Sequence, residues 1–334
     1  MTLSEFLNEW HNDSPTIRVK TSGSTGVPKT MLAEKKRMEA SARMTCDFLN
    51  LRSGDKALLC LPLDFIAGKM MVVRSLVRKL QLISIQPSRH PFANLSEAPD
   101  FVAMTSMQVA STFEIPDEMK IFRKTKHVII GGGSIDAILE KKLMECPNAV
   151  WSTYGMTETL SHIALRRISG ENATSWYSPL PGIEVSLSER GTLCIDAPML
   201  HDGILETNDI VELDASNGQF RILGRTDNVI NSGGVKIQIE EVEERLHALC
   251  PSVQFMLTSC PDSILGEKCV LLIQKSTDEM DKNKIIHSIG ELPRYWRPKS
   301  IVTIDALPMT ETGKPNRAAA KALAIDSVQD PLWK

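Results

Sequence analysis

Over the first 155 positions, short apolar runs alternate with segments whose apolar residues recur at helical spacing. IRVK (17–20), KALLCL (56–61), QLISI (81–85), DFVAM (100–104), HVII (127–130) and AVWSTY (149–154) read as strands. Helical period covers 35–49, 69–80, 106–113 and 135–145. This is the rhythm of an α/β core, placed here at 1–161. In the helix over 69–80, Met70, Val73, Val77 and Leu80 form the stripe expected to be buried, which leaves Arg74 and Arg78 one turn apart.

The pattern changes twice more. From 162 to about 226 the helical signal gives way to short β segments spaced by the turn pairs PG (181–182), RG (190–191), DG (202–203) and NG (217–218), the signature of a small β subdomain. The remaining residues, 227–334, combine a loop NSGGVK (231–236), a helix over 240–249, strand-like runs near 253–258 and 269–274, and a closing segment that ends in ETGKPNR (311–317). The helix puts Ile239, Val242, Leu246 and Leu249 on one face. Glu240, Glu241, Glu243 and Glu244 crowd its first turns, where the helix dipole favours negative charge, so the cluster reads as helix stabilisation rather than a metal site. Two units follow: 1–226, made of the core and the β subdomain, and an α+β unit 227–334.

With 334 residues, each unit can bury a core of its own. The net charge of −3 offers no basic stripe for nucleic acid, and no apolar run reaches membrane-spanning length, so a small-molecule partner and a cytoplasmic location are expected. Seven scattered cysteines without a C-x-x-C pair indicate neither a disulfide framework nor a zinc site, and point to reduced packing residues.

Chemistry enters with TSGSTGVPKT (21–30), where glycines and hydroxyls precede a lysine. Converging backbone N–H groups and a positive charge suit a phosphate. It is not a Walker loop, because Pro28 stands where that motif needs glycine. Four further stretches extend the picture: STYGMTET (152–159), TNDIVEL (207–213), GRTDNVINSGGVKI (224–237) and PMTETGKPNR (308–317). They supply a flat aromatic ring, a Thr-Glu pair, a carboxylate at a strand start and a lysine in a glycine-proline turn.

In this order the five stretches resemble the adenylate-forming superfamily, the acyl- and aryl-CoA synthetases, carrier-protein adenylation domains and luciferases, from about residue 20 to 317. The resemblance implies an α/β adenylate-forming fold with a shortened N-terminal region and a mobile C-terminal domain hinged near Asp227. It implies a two-step reaction, in which ATP and a carboxylic acid give an acyl-adenylate and pyrophosphate, and a thiol then displaces AMP. Thr21, Ser22, Gly23, Ser24, Thr25, Gly26 and Lys29 would hold the outer phosphates. Gly132 and Gly133 match the adenine-pocket turn, Tyr154 and Gly155 the adenine-stacking aromatic and its neighbour, and Asp209 and Arg225 the ribose-binding pair. Thr157 would contact the α-phosphate, Glu158 would ligate Mg²⁺, and Lys314 would bridge the carboxylate and the phosphate in the first step. Gly233, Gly234 and Lys236 would belong to the CoA channel that domain rotation brings up for the second step. Outside the resemblance, Tyr154 also reads as core filler and Asp227 as a surface aspartate.

Two departures stand out. Only 20 residues precede Thr21, where the family carries a large N-terminal region, which implies a compact branch or a lost part of the site. PLDFIAG (62–68) carries Phe65 where many relatives have a histidine lining the acyl pocket. Arg74, six residues after Gly68, is spaced like the pocket arginine of some o-succinylbenzoate–CoA ligases and would meet a second carboxylate; a solvated helix edge is the competing reading. The expected substrates are ATP, CoA and o-succinylbenzoate, with Mg²⁺. Another acyl- or aryl-CoA ligase, a carrier-protein adenylating enzyme and an ATP-binding regulatory protein without turnover remain as alternatives, and a homodimer is left open.

Overall fold

A computed structural model describes residues 1–20, 30–133, 135, 137–275, 279–310 and 314–329. The chain opens with α1 (Leu3–His11), whose capping box joins Thr2 and Glu5, and a two-stranded antiparallel ribbon of β1 (Thr16–Lys20) and β2 (Thr30–Glu34). There follow α2 (Lys35–Phe48), β3 (Lys56–Leu59), α3 (Ile66–Arg78), β4 (Gln81–Ser84), β5 (Phe101–Thr105), α4 (Ser106–Glu114), α5 (Pro116–Lys124), β6 (His127–Gly131), α6 (Ala137–Met144) and β7 (Ala149–Gly155). After these come β8 (His162–Arg167), β9 (Ser178–Pro179), β10 (Glu184–Leu187), β11 (Thr192–Asp196), β12 (Ile204–Asp214) and β13 (Gln219–Arg225). The last unit holds β14 (Val229–Ser232), β15 (Val235–Gln238), α7 (Ile239–Leu249), β16 (Phe255–Asp262), β17 (Gly266–Gln274), α8 (Glu279–Glu291), β18 (Ser300–Ile304) and α9 (Arg317–Gln329).

The main sheet has the order β4-β3-β5-β6-β7-β8-β9. The pairs from β4 through β7 are parallel; β8 and β9 are added antiparallel. The parallel strands read as continuous apolar runs because helices cover them, and Val102, Val128, Ile130 and Val150 are buried. Between positions 162 and 183 the chain does not yet belong to the β subdomain: β8 pairs with β7, and the separate four-stranded sheet begins at Glu184 in the order β10-β11-β12-β13. Loss of helical period marked the right place, yet periodicity does not say which sheet a strand joins.

The helix α3 is buried more widely than one stripe. Gly68 through Ser75 are all buried, since the helix packs both on the sheet and on α2. Gly68 permits that approach: a Cβ there would fall 2.7 Å from the carbonyl carbon of Pro62. In α7, Ile239, Val242 and Leu246 are buried as expected, whereas Leu249, at the helix end, is 43% exposed. The helices α1, α5, α8 and α9 lie outside the helical segments read from the sequence. The C-terminal unit has its own sheet, β15-β14-β17-β16 with β18 beside β17, and its own cores on either side. Six of the cysteines are buried and Cys194 is partly exposed, and all seven are free thiols. Among the described residues no helix is long and apolar enough to cross a membrane.

Candidate active site

The polar side chains singled out above gather where the parallel strands end. In open α/β sheets the crevice outside the carboxyl ends of the strands is where ligands bind. The strand β5 ends at Thr105, which caps α4 through a capping box with Gln108; β6 runs into Gly132 and Gly133; β7 ends at Tyr154 and Gly155. Gly132 has φ +87°, a conformation that side chains resist, so the turn after β6 demands glycine.

A turn after β7 carries Thr157 and Glu158. The buried Thr159 hydroxyl fixes it, accepting from Met156 N at 3.1 Å and lying 3.0 Å from Met156 O and 2.8 Å from Ser161 O. Leu160 N closes the turn on Thr157 O at 2.9 Å, and Leu160 itself is held at φ +65°. A buried leucine in that region is strained, and the turn hydrogen bonds hold it there. Gly155 lies directly against the next strand: a Cβ on it would stand 2.5 Å from His162 Cα. Glu158 is exposed and Thr157 half-buried.

A chain of charge-assisted hydrogen bonds runs outward from Tyr154. Its phenol donates to Asp209 Oδ2 at 2.5 Å, Arg225 Nη1 donates to Asp209 Oδ1 at 2.8 Å, and Arg225 Nε and Nη2 fork onto Asp227 at 2.8 Å each. The antiparallel pairing of β12 with β13 places Asp209 opposite Arg225, so the register itself builds the pair. Burial first, and the Asp209 carboxylate next, raise the Tyr154 pKa, so the ring keeps its proton. The hydrogen bond from Arg225 holds Asp227 below the usual carboxylate range. The Tyr154 ring meets Phe220 edge-on at 5.1 Å and Tyr177 at 6.0 Å, so it is both core filler and a wall of the crevice.

Lys314 reaches this cluster from the other unit. It sits on a turn in which Lys314 N donates to Thr310 Oγ1 at 3.0 Å and Thr310 N donates to Lys314 O at 2.8 Å. Burial, and after it the Arg225 charge, lower its pKa, while Asp209 opposes the shift. Lys314, Gly133, Tyr154, Asp209 and Arg225 therefore share one site.

The other expected residues distribute as follows. Thr21 to Lys29 lie outside the described residues. Their flank is seen: Lys20 bridges to Phe65, which begins α3 half-buried. Gly233 and Gly234 form the two-residue turn between β14 and β15, both with positive φ, and Gly233 N bonds Leu265 O at 2.8 Å within the C-terminal unit. Lys236 is exposed on β15. Gln238, at the far end of β15, donates to Arg225 O at 3.0 Å, while no contact described joins Gly233, Gly234 or Lys236 to Lys314.

Arg74 is not a solvated helix edge. It is fully buried, and its Nη2 donates to Ser161 Oγ at 2.6 Å. Arg78, one turn on, turns outward to Asp47. Among the described residues Arg74 has no carboxylate partner, and its Nε has no hydrogen-bond partner. Burial lowers its pKa to about 10. Two residues that the sequence reading missed, Ser161 and His162, stand next to Arg74. A serine and a histidine after a Thr-Glu pair carry no motif of their own, and only their hydrogen bonds to Arg74 on α3 and Thr45 on α2 reveal them. Among the described residues no three His, Cys, Asp or Glu side chains are grouped to hold a metal ion.

The parallel sheet, the crevice at its strand ends and the lysine supplied by a smaller second unit define an α/β enzyme of two units. The chain belongs to the AMP-binding enzyme family, which matches residues 6–201. It is similar to a 2-succinylbenzoate–CoA ligase of Lactococcus lactis, 24% identical over 324 residues that make up 92% of this chain and 70% of the relative. Among solved structures, an acyl-CoA synthetase (AMP-forming)/AMP-acid ligase II-like protein from Dyadobacter fermentans is 34% identical, with a TM-score of 0.64, and covers 94% of this chain and 91% of its own. The o-succinylbenzoate coenzyme A synthetase from Bacillus subtilis, solved with ATP and magnesium ion, shares the fold with a TM-score of 0.72 at 22% identity, over 90% of this chain and 68% of its own.

Proposed function

We propose that this protein is an ATP-dependent ligase that adenylates a carboxylic acid, releases pyrophosphate and transfers the acyl group to CoA with release of AMP, and that its acid is o-succinylbenzoate. The observation that carries the acid is Arg74, a buried guanidinium with no carboxylate partner among the described residues. Burying a cation without a partner costs several kcal/mol in effective terms, and a substrate carboxylate would recover much of that on binding. Ser161 joins Arg74 to the turn that carries Thr157 and Glu158, so a dicarboxylic acid held at Arg74 by one carboxylate would offer the other toward Lys314.

In the first step, the carboxylate oxygen attacks the α-phosphorus and pyrophosphate leaves. Negative charge builds on the phosphoryl oxygens, and a preorganised cation is worth most there. Lys314 supplies that charge, and its lowered pKa reflects the burial that strengthens it. Asp209 and Tyr154 suit a ribose and a base. Mg²⁺ bound with ATP would supply further neutralisation, and a hard ion that takes few protein ligands suits a site where Glu158 offers an exposed carboxylate. Thr21 to Lys29 would receive the outer phosphates. Asp227, forked to Arg225 in this arrangement, would release when the C-terminal unit turns to bring Gly233, Gly234 and Lys236 to the thiol.

The test is pyrophosphate release with ATP and Mg²⁺ over a panel of acids, with the CoA thioester read by mass. Release and thioester selective for o-succinylbenzoate are expected. Equal turnover of monocarboxylic acids would overturn the acid, and ATP binding without release on any acid would overturn the ligase.

A further inference from the structure

Behind Arg74 stands a buried polar chain that nothing in the reaction above uses. Arg74 Nη2 lies 2.6 Å from Ser161 Oγ; Ser161 Oγ lies 3.4 Å from His162 Nδ1; His162 Nε2 lies 3.0 Å from Thr45 Oγ1; and Thr45 Oγ1 lies 3.1 Å from the carbonyl of Ser41. It crosses from α3 through the start of β8 to α2. Thr45 is fully buried and His162 is 6% exposed.

The protons can be placed by elimination. The guanidinium only donates, so Ser161 Oγ accepts from Arg74. Ser41 O only accepts, so the one Thr45 proton goes there and Thr45 Oγ1 must accept from His162. His162 therefore carries its proton on Nε2, and its bare Nδ1 takes the Ser161 proton. The Ser161, His162 and Thr45 protons then each have an acceptor, and the histidine is neutral. Burial and the Arg74 charge both push the His162 pKa well down, in agreement.

We propose that His162, backed by Thr45, is a positioning residue for acid selection: by taking the Ser161 proton it turns the serine oxygen toward Arg74 and keeps the guanidinium aimed at the second carboxylate of a dicarboxylic substrate. The inference rests on the reading of Arg74 as the carboxylate receptor. A guanidinium recognises a carboxylate through its planar fork, so a swing of the side chain costs recognition even though the charge stays. Among the described residues the Arg74 Nε has no hydrogen-bond partner and Nη1 meets Met71 Sδ at 3.8 Å, which leaves both as donors for the ligand.

Two substitutions separate the two ends of the imidazole. Asparagine at 162 retains an acceptor near the Nδ1 position, and glutamine retains a donor near Nε2. His162→Asn should keep the KM for o-succinylbenzoate within about threefold of the parent, while His162→Gln should raise it by about tenfold, the worth of one hydrogen bond to a charged network. The KM for ATP and kcat should stay within about twofold in both, since a positioning loss at the acid is a binding loss. An o-succinylbenzoate analogue that keeps the carboxylate to be adenylated and carries a carboxamide in place of the one held at Arg74 should show no difference between the two variants. Equal effects of the two substitutions, or an ATP KM that rises in step with the acid KM, would overturn the proposal. If the histidine variants do not fold, Ser161→Ala removes a single oxygen and should give the rise expected of His162→Gln; an unchanged acid KM there would overturn it as well. Arg74→Gln separates the two readings. Loss of the diacid preference with silent changes at 161 and 162 sinks only the positioning role, and an unchanged preference in Arg74→Gln sinks the receptor itself.

Discussion

Lys314 lies against Gly133 across the boundary between the two units: a Cβ built on Gly133 would stand 3.7 Å from Lys314 Cγ. The lysine is thus seated on the turn after β6, with the charges of Arg225 and Asp209 close enough to shift its pKa. Lys314→Ala should lower pyrophosphate release by on the order of 10²-fold or more, the range for removing one preorganised charge-stabilising group. Thioester formation from a supplied acyl-adenylate should fall much less. Equal losses in both half-reactions would count against a lysine that serves only the first.

The closure also depends on how the lysine's turn is anchored. Three residues beyond Lys314, Arg317 forks onto Glu243 of α7 at 2.6 and 2.7 Å, and Glu243 accepts from Leu257 N at 2.7 Å. Both side chains are largely buried, so breaking the pair strands a carboxylate. Arg317→Ala should destabilise the C-terminal unit by about 2–3 kcal/mol. Chemical denaturation followed on Trp296 would register it, and an unchanged midpoint would show that the pair holds nothing.

Asp209 is held from two sides, by Tyr154 and Arg225. Asp209→Asn should raise the KM for ATP by about tenfold or more through the lost charge-assisted bonds, with the KM for the acid nearly unchanged. Tyr154→Phe, which keeps the ring against Phe220, should have the smaller effect. A rise in the acid KM alone would place Asp209 outside the nucleotide subsite.

How far the sequence reveals this site depends on what each residue type can signal alone. The strands through Tyr154 were legible because a covered parallel sheet leaves continuous apolar runs, and Lys314, Asp209 and Arg225 were legible because each sits in a motif. The sheet that β8 joins was not legible, since pairing partners leave no trace in the period of a single strand. Helix α5 escaped notice because Pro116 begins it at once after α4 ends, so two short helices blur into one irregular segment. Arg74 was placed by spacing, but its burial was not. A helix with Met70, Met71, Val72 and Val73 in succession is covered all round, and an arginine inside such a run is informative only once the covering helix α2 is seen.

Gly155 tests the contact that ties the nucleotide wall to the acid end. Its missing Cβ would stand 2.5 Å from His162 Cα, and the obstacle is backbone rather than a movable side chain. Gly155→Ala must push β7 and β8 apart and should cost about 1–3 kcal/mol by overpacking. The displacement falls on Ser161 and His162, so the KM for the acid should rise along with the loss in thermal midpoint. A midpoint equal to the parent would mean that the two strands are not in the contact described.

His162 also makes acid sensitivity predictable. Its folded pKa lies well below the ordinary value of 6.5, so the folded protein refuses a proton that the unfolded chain accepts. Below pH about 6.5 the unfolded state binds more protons, and stability falls with pH at up to about 1.4 kcal/mol per pH unit until the folded pKa is reached. His127 is half-buried and shifted in the same direction by desolvation and the charges of Lys126 and Arg167, so the wild-type slope contains both histidines. Urea midpoints between pH 7 and 5 should therefore converge for the wild type and His162→Asn as the pH drops, because the variant lacks one of the two proton uptakes. His127→Asn would report the other contribution on its own. Parallel curves for the wild type and His162→Asn would mean that His162 takes up its proton as readily in the folded protein as in the unfolded one, and the chain from Arg74 to Thr45 would then lose the neutral imidazole on which its proton order depends.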